Sequence, residues 1–229
     1  MDKYDDLIYR WRKSEQPSFM KWLDENPEEL DTMKPVENVI IHLDDEEIDE
    51  CKHFAAARLS GSKALYQRRN GGSTEKIMSD IVAGAMGEIA IYKYFKSLGY
   101  NISQPDFNVY SKRSKSFDAD MTIGHIEIHC KTQCWDSRKR YGNSWILQNS
   151  ETQGQDKLFR NRDDGDYIAM AGINADDTVT ILGVMPLKLI FDNDLIGECK
   201  VEWLRRHKSA LYLKDLEPYG LFHLPEKEK

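Results

Sequence analysis

Residues 118–133 read Asp-Ala-Asp-Met-Thr-Ile-Gly-His-Ile-Glu-Ile-His-Cys-Lys-Thr-Gln, a run that sets acids, an imidazole and an ammonium at strand spacing. It predicts two short strands joined at Gly124, with Asp118 and Asp120 at the start of the first. Side chains two apart on a strand share a face. Glu127, His129 and Lys131 are therefore expected to project together, while Ile126, Ile128 and Cys130 pack the other way. Carboxylates delivered beside an imidazole and an ammonium can seat a divalent cation and a phosphate.

These groups need elements to position them. Residues 44–70 read as a helix: Asp44 or Asp45 suits the N-cap, acids fill the first turn, and Arg68-Arg69 precede Asn70-Gly71-Gly72. Ser73 or Thr74 caps a second helix that reaches about Leu98 and stops at Gly99. On it Ile77, Ile81, Ala85, Glu88, Tyr92 and Phe95 form one stripe at helical spacing. A carboxylate within an apolar stripe is costly without a partner, so Glu88 looks placed for a purpose. Gly84 and Gly87 beside it lower helix propensity and would let another element come close.

Short helices are expected within residues 1–35, and strand-like segments near 101–102 and 108–110. Ser137 to Asn143 reads as an exposed basic loop, with a helix starting after 148–151. Residues 166–173 and 178–185 are rich in β-formers and flank a turn at 174–177. Arg205, Arg206, His207 and Lys208 read as a helix face. The alternation predicts an α/β or α+β domain whose central mixed sheet, about five strands, is flanked by helices.

The chain has 229 residues, 40% of them hydrophobic, and a formal charge of −7. That charge is unevenly spread. Residues 60–162 hold 16 Lys and Arg against 10 Asp and Glu, whereas 1–59 hold 8 against 16 and 163–229 hold 8 against 13. The middle is thus +6 and the flanks together −13. A basic centre suits a polyanionic partner, because phosphate contacts supply much of nucleic-acid affinity. Four cysteines in a chain of this length make no disulfide framework. Cys130-x3-Cys134 and Cys51-x-His53 fit none of the usual zinc knuckles, so buried reduced thiols are expected. No apolar run approaches the ~18 residues of a membrane span, and the acidic start lacks a signal peptide's apolar stretch. Cytoplasmic residence, with no membrane partner, is the expectation.

Three parts of the chain together resemble the PD-(D/E)XK nuclease superfamily. Gly87-Glu88-Ile89-Ala90 through Tyr94-Phe95 to Leu98-Gly99-Tyr100 is similar to the first core helix of its resolvase-like members. Asp118-Ala119-Asp120, followed by Ile126-Glu127-Ile128-His129-Cys130-Lys131-Thr132, resembles its Asp, hairpin, (Asp/Glu)-x-Lys signature. Trp145-Ile146-Leu147-Gln148 and the strands at 167–173 and 179–185 are similar to the tail of its core. The likeness spans about residues 75–190. It implies a restriction-endonuclease-like core at 71–195, between a helical N-terminal extension at 1–70 and a helical or irregular C-terminal extension at 196–229.

The resemblance also implies an activity: a divalent-metal-dependent DNA endonuclease of restriction or phage type, with branched DNA as one candidate substrate, using Mg2+ or Mn2+ and working as a homodimer. Asp120 would be the central metal ligand, with Asp118 as its fallback, and Glu88 a helix-borne ligand. His129 or Glu127 would complete the acidic side, the carbonyl of Cys130 would add a ligand, and Lys131 would position water and neutralise a phosphate oxygen. Gln133 and Gln148 would touch phosphate or water near the site. Arg138, Lys139, Arg140 and Tyr141 suit backbone contact or stacking on DNA.

One position departs from the family pattern. His129 stands where the family has Asp or Glu, and imidazole ligates Mn2+ while Mg2+ prefers oxygen. That departure motivates a competing expectation, a catalytically degraded fold that binds nucleic acid or protein without cutting. A DNA-mimicking inhibitor is disfavoured by the basic middle.

Overall fold

A computed structural model describes residues 39–70, 73–109, 120–150, 155–160 and 163–226. Asp118 and the short helices expected within 1–35 lie outside the described residues. The order is β1 (Val39–Ile41), α1 (Asp45–Asn70), α2 (Thr74–Ser97), β2 (Met121–Ile123), β3 (Ile126–Gln133), α3 (Trp135–Tyr141), β4 (Ser144–Gln148) and α4 (Lys157–Arg160). Then come β5 (Tyr167–Ile173), β6 (Val179–Pro186), α5 (Leu187–Asp192), β7 (Gly197–Glu198), β8 (Lys208–Tyr212) and α6 (Leu213–Leu216).

Two sheets result. The main one runs β1-β6-β5-β3-β2 and is mixed: β3 and β5 are parallel, the other pairs antiparallel. The second, β4-β8-β7, is antiparallel. The protein is thus a mixed α/β structure, as the alternation of patterns predicts. Residues 39–41 join the main sheet, and 197–198 and 208–212 build the second. Short strands of this kind carry too few alternations to be read from sequence. Their pairing is decided by non-local partners.

Helix starts follow their caps. Asp44 and Glu47 make a reciprocal capping box, each side chain accepting the other's backbone N–H at 2.9 Å. The Ser73 hydroxyl accepts from the Lys76 amide at 3.2 Å and opens α2. Gly99, at φ 82°, ends that helix in a conformation few other residues tolerate. Lys93 pairs with Glu47 at 2.8 Å and links α2 to α1.

The apolar stripe of α2 covers one face of the main sheet, with Ile77, Ile91 and Phe95 fully buried against Ile128, Ala169 and Ala171. The opposite face, with Ile168 and Met170, packs on Trp145 and Leu147 of the second sheet. The Trp145 indole donates to the carbonyl of Ala171 at 2.9 Å. Gly87 sits where α2 crosses β3: a Cβ there would fall 1.7 Å from the Thr132 hydroxyl oxygen. Gly84 differs, since a Cβ there would meet nothing. Only one of the two glycines, then, serves close approach.

Several local expectations change. The basic stretch 137–143 is mostly helix, because Trp135–Tyr141 forms α3, which follows β3 and precedes β4 in the chain. Ile102 makes a single bridge to Ile123 rather than a strand, and no strand covers 108–109. Residues 205–208 are a turn entering β8, not a helix face.

Candidate functional site

Asp120, just before β2, interacts electrostatically with both Glu88 of α2 and Lys131 of β3. Residue 120 lies opposite His129 in the register set by Met121↔Ile128. Its carboxylate turns over the strand edge and accepts the Cys130 amide at 2.7 Å. Gly87 brings α2 down onto β3, and Glu88 follows it in the chain. Burial, and secondly the negative charge of Asp120, push the Glu88 carboxyl from 4.5 up to about 8, although Arg58 and Lys131 pull it down. At neutral pH this acid therefore keeps its proton, chiefly because it is buried.

Lys131 is placed between these two carboxyl groups and a cleft. Its Nζ lies 3.2 Å from an Asp156 oxygen. Burial disfavours the ammonium, but the carboxylates of Asp156 and Asp120 more than offset this and raise its pKa. The side chain thus stays cationic. The same Asp156 oxygen accepts the Gln148 amide at 2.8 Å, so one carboxylate fixes both the lysine and the end of β4. Asp156 was not among the expected site residues. It sits in a polar stretch with no periodicity, and only the fold brings it to Lys131.

His129 and Glu127 do share a face, as strand alternation requires, and they gather a third group. Their ligand atoms and those of Asp166 all lie within 4.8 Å of one another, a set able to hold a metal ion. The His129 Nε2 is 3.9 Å from a Glu127 oxygen, and Asp166 accepts the Glu127 amide at 3.0 Å. Burial lowers the pKa of His129, against the opposing charge of Asp120, which keeps the ring neutral and fit to ligate. Burial raises the Asp166 carboxyl, with a further push from Glu127. The pairing Ile128↔Tyr167 in parallel β3 and β5 puts 127 beside 166. No local signal announces that neighbour. Burial holds the Cys130 thiol well above 9; the ligand expected from this residue is its backbone carbonyl.

The remaining residues divide between cleft and scaffold. A cleft of about 450 Å³ is lined by Lys131, Gln133, Tyr141 and Gln148, with Lys200, Trp203 and Lys208 from the C-terminal segment. Within it Gln133 is committed to structure: its Nε2 donates to the Gly142 carbonyl at 3.0 Å, and its oxygen accepts the Ser144 amide at 2.9 Å. The side-chain Nε2 of Gln148 is buried and makes no hydrogen bond among the described residues. Arg138 does not face the cleft. It donates to Asn143, Asn174 and the Ile173 carbonyl, lying across Gly172, where a Cβ would come within 2.8 Å of the guanidinium. Lys139 and Arg140 are exposed on α3, over the rings of Trp135 and Tyr141 respectively.

Comparison of this chain with protein-family models, with curated proteins and with solved structures finds no match. Among the described residues, no helix is long and apolar enough to cross a membrane.

Proposed function

We propose that the protein is a divalent-metal-dependent DNA endonuclease with a restriction-endonuclease-like core. One observation carries the reading: a cationic lysine stands between a polar cleft and the carboxylates of Asp120 and Glu88, the latter held neutral chiefly by burial. Such a pair fits a metal ion, because a divalent cation would displace the Glu88 proton and cancel the repulsion with Asp120. Mg2+ or Mn2+ is the ion proposed, held by Asp120 and Glu88. His129, Glu127 and Asp166 offer a second donor set whose imidazole favours Mn2+. Bound there, the ion supplies Lewis acidity toward a phosphate oxygen and a more acidic water.

The chain's own groups do the rest. Lys131, held cationic, neutralises charge that builds on the phosphate oxygens during attack. It cannot serve as the general base while it stays protonated, so its part is electrostatic. Asp156 orients Lys131 and fixes the backbone at Gln148. The Cys130 amide holds the Asp120 carboxylate in one rotamer, so its orientation is set before any ligand arrives. DNA as the partner and a homodimeric assembly belong to the same proposal.

The test is cleavage of supercoiled, linear and branched DNA with Mg2+, Mn2+ or EDTA, by wild type, Lys131→Ala and Asp120→Ala. Metal-dependent cutting that either substitution lowers by ~100-fold or more supports the reading. Binding of DNA by wild type without any cutting favours instead a degraded site, the reading that His129 in place of an acid motivates.

A further inference from the structure

The cleft beside Lys131 has features that phosphodiester hydrolysis alone does not require. It runs along the outward face of β4: Ser144, Ile146 and Gln148 alternate with the core residues Trp145 and Leu147 and line it. The span from Ser144 to Gln148 is about 13 Å at strand rise. Pairing sets Tyr212 beside Ser144 and Lys208 beside Gln148. Four lysines line the cleft, Lys76, Lys131, Lys200 and Lys208, against two acids, Asp80 and Asp156.

Its apolar surface is unusual. Few large hydrophobic side chains are exposed in the described residues, and two of them, Ile146 at 41% and Trp203 at 64%, open into this one trough. Lys200 lies 5.3 Å over the Tyr212 ring and donates to the Tyr141 carbonyl, so the Trp203 segment is tied back toward α3. Cations interleaved with an exposed indole and an aliphatic floor are what an unpaired nucleic-acid strand needs: charge for its phosphates, flat apolar surface for its bases. The volume points the same way. About 450 Å³ lies in the small-ligand range, enough for unstacked nucleotides.

We infer that this trough binds a single-stranded stretch of DNA next to the bond to be cut, with a base stacked on Trp203 and phosphates on Lys200 and Lys208. The inference rests on the nuclease reading and narrows its substrate to DNA with an unpaired or frayed segment.

The experiment is a fluorescence-anisotropy titration of the full chain in EDTA, with a labelled short oligothymidylate and a blunt hairpin duplex as probes. The single strand is expected to bind more tightly than the duplex. Trp203→Ala should weaken single-strand binding by about tenfold, and Trp203→Phe should restore most of it. Lys200→Ala should lower the slope of log affinity against log salt by ~0.7. Equal affinity for the two probes, or unchanged binding by Trp203→Ala, overturns the inference. Binding is read without metal, so the two proposals fail separately. Metal-dependent cutting without strand preference removes only this one, and strand binding without cutting removes only the nuclease.

Discussion

Replacing Glu88 by glutamine should make the metal-free protein more stable at neutral pH, the opposite of what most substitutions at a half-buried acid do. The Glu88 carboxyl lies at about 8 in the fold against an ordinary 4.5, chiefly through burial and then through Asp120. The folded state therefore holds this proton more tightly than the unfolded chain. Its contribution to stability is complete below 4.5 and is lost as pH rises toward about 8. At ~1.4 kcal/mol per unit, the ceiling is ~5 kcal/mol. Partial exposure of Glu88 cuts this to ~2–3 kcal/mol.

Glu88→Gln keeps the site neutral at every pH. Urea unfolding in EDTA, followed by tryptophan fluorescence, should give wild type and variant alike near pH 4.5, with the variant ahead by ~2–3 kcal/mol near pH 8. Adding Mg2+, which prefers oxygen ligands, should reverse the order, since the Asp120–Glu88 pair gains a cation only in the protein that keeps both carboxylates. Parallel pH profiles for the two proteins would refute the argument, because they would mean that Glu88 titrates as a solvated acid and that no pair waits for a cation.

Other outcomes follow from particular contacts. Gly87→Ala should destabilise by ~1–3 kcal/mol, a thermal midpoint lower by ~2–4 °C per kcal/mol, because its Cβ would meet Thr132. Gly84→Ala on the same helix should instead stabilise by ~0.5–1 kcal/mol, because its Cβ meets nothing; equal signs in thermal melts would sink this distinction. Asp156→Asn should slow metal-dependent cutting about tenfold by freeing Lys131, while urea unfolding moves by no more than ~1 kcal/mol. A cutting rate equal to wild type would show that Asp156 does not position the lysine. Asp166→Ala and His129→Ala should each weaken Mn2+ binding, read by electron paramagnetic resonance, by ~10-fold or more. Unchanged Mn2+ affinity in both would exclude that triad as a metal site.

Much of the site was legible in the chain because it depends on local spacing. A strand repeats every second residue, so Glu127, His129 and Lys131 had to share a face once 126–133 was a strand. Caps at Asp44 and Ser73 and the stop at Gly99 fixed both long helices, since those groups act within one turn. The tertiary structure alone decided which distant residues complete the chemistry. Parallel pairing of β3 with β5 brought Asp166 to Glu127, and the turn into α4 brought Asp156 to Lys131. The pairing of β4 with β8 made the trough with Lys208 and Trp203. Only the fold gives Arg138 its acceptors on residues 143, 173 and 174, which tie α3 to the end of β5. Periodicity reports which way a side chain points. What it meets there depends on partners tens of residues away, and no local pattern encodes them.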